Sequence, residues 1–245
     1  MTAESRSRTI AVVGTVWFLA SIGALTEGFR QAVFLAPTEA TMGNVQRIFY
    51  WHVPIASVSL IFPYLNLAAS LAYLALRRRN IFWALAADAL AVASAEITVL
   101  FATLVLLTGM LWARPVWGIW WTWDARLTTY LLLWLLYVSY LLVRRFSASG
   151  QTSVLAAVLA IFAAIDVPIT FMSITWWRTQ HPAPVLRDGG SLDASMRPAL
   201  YWNFLAWFLW GLFIVGLRYM VERRRQLAAQ SDALRAIEES LEIAQ

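Results

Sequence analysis

The stretch Trp117-Gly118-Ile119-Trp120-Trp121-Thr122-Trp123-Asp124-Ala125-Arg126-Leu127-Thr128 interrupts two long apolar runs, residues 81–112 before it and 127–143 after it. The runs decide the fold class, because about 20 consecutive apolar residues suffice to cross a bilayer as a helix. The interruption is where function is expected. Four tryptophans, one carboxylate and one guanidinium crowd a dozen residues between two such runs. They make an aromatic, weakly charged surface suited to a large, flat, amphipathic ligand at a membrane edge.

Further runs lie on either side of this pair, at 10–25, 52–76, 153–174 and 200–220. The 245 residues are 60% hydrophobic and only 13% charged, against roughly 25% charge in a soluble domain. The prediction is an all-α integral membrane bundle of six transmembrane helices over residues 1–220, followed by a charged, helix-prone tail at 221–245. The first run is short. The third exceeds a hydrocarbon core of about 30 Å at about 1.5 Å per residue, so Gly109 and Pro115 mark its expected end. With no cysteine, a disulfide framework and a thiolate metal site are excluded. No Ala-x-Ala-type site follows the first run, so no cleaved signal peptide is expected. Phosphate-cradling glycine loops and serine-nucleophile motifs are absent from the sequence.

Every basic residue is arginine, and the net charge is +5. The arginines gather at the ends of apolar runs, which is a membrane-topology pattern rather than a nucleic-acid footprint. Twelve fall on the side of the N-terminus, the 77–79 turn, Arg144, Arg145 and the tail; seven fall opposite, Arg187 among them. The positive-inside rule then predicts cytoplasmic termini and an outward-facing Trp-rich loop.

The only two histidines, His52 and His181, fall on that same outer face. Two neutral imidazoles can be the axial ligands of one haem iron. A packed interfacial role remains open for each, as does a two-histidine zinc site drawing on Asp124, Asp188 or Asp193, although their spacing supplies no motif. Trp17, Trp83, Trp134, Trp207 and Trp210 read as interfacial anchors. Trp117, Trp120, Trp121 and Trp123 are too crowded for that. In a helix, Trp117, Trp120 and Trp121 would form one stripe continued by Asp124. Trp176 and Trp177 add aromatic surface ahead of His181. Arg47, Arg114, Arg126 and Arg178 are either headgroup-level charges or carboxylate binders. Asp88, Glu96 and Asp166 lie inside spans, where carboxylates are costly. They leave open a solute transporter or channel built on intramembrane carboxylates, and an electron-transfer haem or quinone protein is a third reading.

Residues 112–128, from Trp112 through the Trp120-Trp121-Thr122-Trp123-Asp124 run to Thr128, resemble the "WWD" signature of haem-handling membrane proteins. His52-Val53-Pro54 at the start of the second run and Trp176-Trp177-Arg178-Thr179-Gln180-His181 in the third outer loop narrow the resemblance to the haem exporter protein C (CcmC) family of bacterial cytochrome c maturation. It covers roughly residues 43–210. The resemblance implies His52 and His181 as axial ligands of haem b. It also implies a haem platform of Trp112, Trp117, Trp120, Trp121, Trp123, Asp124 and Arg126, to which Arg47, Arg114 and Arg178 would add propionate contacts. It further implies a protein of the bacterial inner membrane that is not itself an enzyme and presents haem to the periplasmic chaperone CcmE, in an assembly with CcmA, CcmB and CcmD. ATP hydrolysis is expected in a partner subunit. Glu96 and the 221–245 tail inherit no role from the resemblance.

Overall fold

The computed structural model describes residues 3–146, 152–182 and 192–243. Arg187 and Asp188 lie outside them. The described residues form eight α-helices, which make up six helical segments long and apolar enough to cross a membrane. Helix α1 (Ala3–Arg30) continues through a π-helical turn, Gln31–Leu35. It outruns the apolar stretch 10–25 because its polar end is self-satisfied. Glu27 accepts from Arg30 Nε at 2.7 Å and from Gln31 Nε2 at 2.7 Å.

Two spans are broken in the middle, and in each a proline follows the break. Helices α2 (Phe49–Ser59) and α3 (Ile61–Leu76) meet at Leu60, three residues before Pro63. Helices α6 (Thr152–Ala164) and α7 (Asp166–Trp176) meet at Ile165, three residues before Pro168. A proline has no N–H for the carbonyl four residues back and its ring crowds that carbonyl, so the chain steps out of register there. The Ile165 amide bonds instead to Phe162 O at 3.2 Å, a tighter turn.

Helix α4 (Ile81–Trp117) starts on an Asn80 cap, whose Oδ1 accepts from the Trp83 amide at 3.2 Å. It does not stop at Gly109, as the sequence predicts, and it carries Pro115 inside its last turn. The stop is Gly118, at φ +76°, a left-handed conformation that glycine adopts without steric cost. Helix α5 (Ala125–Phe146) therefore begins after a non-helical link, and the 117–124 stretch carries no continuous helical stripe. Helix α8 (Arg197–Ile243) runs unbroken from the last span into the tail.

Helix α4 is the axis of the bundle, packed by α2, α3, α5 and α8. Its buried alanines, including Ala84, Ala89, Ala93, Ala95 and Ala102, let neighbouring backbones come close, as small residues do in membrane bundles. Phe62, Phe101, Leu133 and Tyr137 fill the middle of the core. Helix α1 leans on α8, α6 on α3 and α5, and α7 on α5. Val12, Val16, Leu100, Leu132, Val158, Phe162 and Leu205 stay exposed, as befits a surface solvated by lipid.

The carboxylates inside the spans have partners that the sequence does not name. Asp88 receives a bidentate Arg144, at 2.8 and 2.7 Å, and Gln226 Nε2 at 2.9 Å. Glu96 receives Arg218 at 2.5 and 2.8 Å. Asp166 accepts from Thr170 Oγ1 at 3.2 Å. The Asp88–Arg144 side chains are only 5% and 15% exposed. Breaking a buried pair by removing one partner typically costs about 3–5 kcal/mol. Arg144→Ala is therefore expected to lower the unfolding midpoint in detergent markedly, and Arg218→Ala at the more exposed Glu96 pair to lower it less. Thermal unfolding of the two variants side by side checks the ranking.

Candidate functional site

At the end of the bundle where α4 gives way to α5, a cleft enclosing about 740 Å³ up to its mouth opens between α2, α4, α5 and the segment after α7. Both histidines line it, with Trp112, Trp117, Trp121 and Arg126. Residues far apart in the chain thus converge on one apolar pocket with a few polar groups.

His52 sits in α2, only 7% exposed. Trp112 meets its ring edge-on at 5.8 Å. On the α4 side stands Gly109, where a Cβ would come within 3.2 Å of His52 Cε1. The sequence reads Gly109 as a helix end; its role is to leave room for an imidazole. The ring Nδ1 lies 2.9 Å from Thr108 Oγ1. That hydroxyl already donates its proton to Leu104 O at 2.7 Å, so toward His52 it accepts. Nδ1 therefore carries the hydrogen and Nε2 keeps its lone pair.

His181 reaches the same state by another route. Its Nδ1 lies 3.0 Å from Pro182 O. A carbonyl can only accept, so Nδ1 again carries the hydrogen and Nε2 is left unprotonated. Burial, and next the nearby Arg126 charge, hold its pKa below the ordinary imidazole value. The ring is neutral at neutral pH.

Asp124 builds the connection between these parts. Its Oδ1 accepts from the Leu127 amide at 2.9 Å and so caps α5. Its Oδ2 accepts from Thr179 Oγ1 at 2.7 Å and from the Gln180 amide at 3.2 Å. Thr179 Oγ1 in turn accepts from the His181 amide at 3.0 Å. Asp124 is not among the cleft-lining residues; it ties the His181 segment to the start of α5.

The four loop tryptophans divide. Trp117 and Trp121 line the cleft. Trp123 is 75% exposed and packs edge-on to Trp121 at 5.6 Å, and Trp120 is 54% exposed. Trp112 Nε1 and Trp121 Nε1 are buried yet have no hydrogen-bond partner among the described residues. The arginines divide as well. Arg126 lines the cleft, donates to Thr170 O and lies 5.5 Å from the Tyr130 ring centroid. Among the described residues no carboxylate lies within ion-pair distance of it. Arg47 donates to Ala32 O at 2.6 Å, Arg114 donates to Gly118 O at 2.5 Å, and Arg178 is exposed; none of the three lines the cleft. No group of three or more metal-ligating side chains occurs among the described residues, so the zinc alternative gains no ligand set.

Four residues that the sequence reading passes over complete the site: Met42, Thr108, Tyr130 and Thr179. Met42 reaches the cleft from the 36–43 loop. Glu39 folds that loop by accepting from the Met42 and Thr41 amides, which hold its carboxyl below the usual carboxylate range. Tyr130 OH reaches Ala56 O at 3.2 Å and pairs with Ser59 Oγ beneath the cleft. The Thr108-Gly109 pair inside an otherwise apolar run was the one local signal of this support.

Residues 2–234 match the family model described as Heme exporter protein C. The chain is 38% identical over 216 residues to the Heme exporter protein C of Bradyrhizobium diazoefficiens, covering 86% of this chain and 80% of that one. It is 34% identical over 221 residues to the Escherichia coli K12 protein of the same description, covering 85% and 87%. A ccmC-like mitochondrial protein of cytochrome c biosynthesis from Marchantia polymorpha is 31% identical over 215 residues, covering 87% and 86%.

The space at Gly109 gives a direct test of the cleft. Gly109→Ala should force a small shift of the His52 ring, and Gly109→Val should displace it from Thr108. Haem binding followed by absorbance titration is expected to weaken in that order, by roughly tenfold or more for valine. Equal affinity in both variants would show that the ligand does not depend on His52.

Proposed function

Because the chain belongs to the Heme exporter protein C family, we propose that it holds haem b in this cleft and presents it for cytochrome c maturation. The observation that carries the reading is the pair of neutral imidazoles. His52 and His181 line one cleft, and each has its Nδ1 hydrogen committed so that Nε2 is the free donor. Ligating histidines bind in this form, with the other ring nitrogen hydrogen-bonded. When bound, haem supplies an iron, which these two nitrogens would hold.

The rest of the cleft fits the remainder of such a ligand. Trp112, Trp117 and Trp121 offer flat aromatic contact to a macrocycle. Arg126 and the two buried, unpartnered indole N–H groups offer donors to propionate carboxylates. The exposed Trp120 and Trp123 would extend the platform outside the cleft. Arg47, Arg114 and Arg178 would contribute only if their loops rearrange around the ligand, since two of them are bonded to backbone carbonyls.

In this reading the cleft faces the periplasm of a bacterial inner membrane, as the arginine distribution predicts. The haem passes to the chaperone CcmE, and CcmA, CcmB and CcmD complete the assembly, with ATP hydrolysis in a partner subunit. The chain binds and delivers; it carries out no reaction of its own. The solute-transporter alternative drew on Asp88, Glu96 and Asp166. Each has a bonding partner within the bundle, and this weakens the case for a polar path.

His52→Ala and His181→Ala are each expected to lower the haem content of the purified protein and to shift its Soret band, and the double variant to lose haem. A double variant with wild-type content and spectrum would overturn the ligand assignment. Trp120→Ala with Trp121→Ala should impair haem binding or handover without lowering abundance in the membrane. An equal fall in abundance would instead make these residues membrane anchors.

A further inference from the structure

We propose that Thr179 is a positioning residue that makes His181, and not His52, the exchangeable ligand when haem is handed on; this rests on the haem-holding reading above. The two histidines are held in unequal ways. His52 is part of a helix that continues on both sides of it. Its ring is packed against Trp112 and Gly109 and bonded to Thr108, a residue of a different helix. His181 lies beyond the end of α7 at Trp176, in non-helical chain. Its ring partner is Pro182 O, which belongs to its own segment. That bond fixes the tautomer but cannot fix the position, because donor and acceptor move together.

Position comes from the Thr179 hydroxyl. It donates to Asp124 Oδ2 at 2.7 Å and accepts from the His181 amide at 3.0 Å. The Gln180 amide adds a weaker bond to the same carboxylate oxygen at 3.2 Å. Asp124 Oδ1 is committed to the α5 cap. The hydroxyl is thus a two-way link between a rigid helix start and the backbone of the ligand residue. Its two bonds are part-buried, whereas His52 is buried and packed, and the less enclosed bonds open more readily. Exchange at His181 breaks one bond from Nε2 to iron and replaces it with one from an incoming donor's lone pair. No proton changes place, because the hydrogen stays on Nδ1, which donates it to Pro182 O.

The test uses full-length wild type, Thr179→Val, Thr179→Ser and Thr108→Val, each loaded with ferric haem. The rate at which cyanide displaces a histidine ligand is read from the Soret shift. Thr179→Val, which keeps the shape and removes both bonds, should speed displacement by roughly tenfold, as the loss of two hydrogen bonds at about 1 kcal/mol each implies. Thr179→Ser should stay near wild type, and the acceleration from Thr108→Val should be smaller than that from Thr179→Val. In the haem-free proteins, amide hydrogen exchange at Gln180 and His181 should quicken in Thr179→Val alone. Thr179→Ala serves the same purpose should the valine variant fail to accumulate. Unchanged cyanide rates and unchanged amide exchange in the position 179 variants overturn the proposal, as does a larger acceleration from Thr108→Val. A wild-type protein that takes up no haem overturns the haem-holding reading and the ligand exchange with it. The amide exchange then reports on the Thr179 tether alone.

Discussion

One carboxylate, that of Asp124, decides whether the parts of the site stand together. A helix start leaves N–H groups without partners, and Asp124 Oδ1 satisfies one of them at α5. The same group then has a second oxygen, facing away from the helix, and that oxygen takes Thr179 and Gln180. Local capping chemistry thereby becomes a long-range clamp between segments 55 and 56 positions apart. A stop at Gly118 makes this possible: had α4 run on through Asp124, there would be no helix start to cap.

The opposite end of the bundle supplies the rigidity against which that clamp works. Helix α4 is bonded to α5 through Asp88 and Arg144, and to α8 through Glu96 and Arg218. The Asp88–Arg144 pair is buried, so removing either partner would leave an uncompensated charge between the two helices. The two pairs join α4 to two of the helices packed against it. Nearer its other end the same helix presents Thr108, Gly109 and Trp112 to His52. One helix, lined with alanine, thus carries ion pairs and cleft residues along its length.

Much of this was legible in the chain. Six apolar runs gave six spans, and the WWD run with two histidine segments gave the family. The sequence reading missed where it had to treat a residue alone. Gly109 looks like a helix terminator in one dimension, since glycine is a poor helix former; only its neighbour across the helix interface shows that it is a space for a ring. Glu96 looks unpaired because Arg218 lies far along the chain. Asp124 looks like part of an aromatic platform because it adjoins four tryptophans, whereas its bonds run to α5 and to Thr179. The tryptophans themselves cannot be sorted by sequence into cleft wall and exposed surface. The backbone turn at Gly118 and the extended link after it break the helical spacing on which such sorting relies.

The sequence by itself determined the membrane class, the number of spans and the family, because length and hydropathy of a run are set by the bilayer and a dense motif survives being read in one dimension. Tertiary structure decided which nitrogen each histidine offers, which arginine faces the cleft, and which residues merely hold others in place. The physical reason is that a hydrogen bond fixes a tautomer or an orientation only through a partner at about 3 Å. For His52, His181 and Asp124, those partners are a neighbouring helix, an adjoining carbonyl and a distant hydroxyl, and a bare sequence assigns none of them.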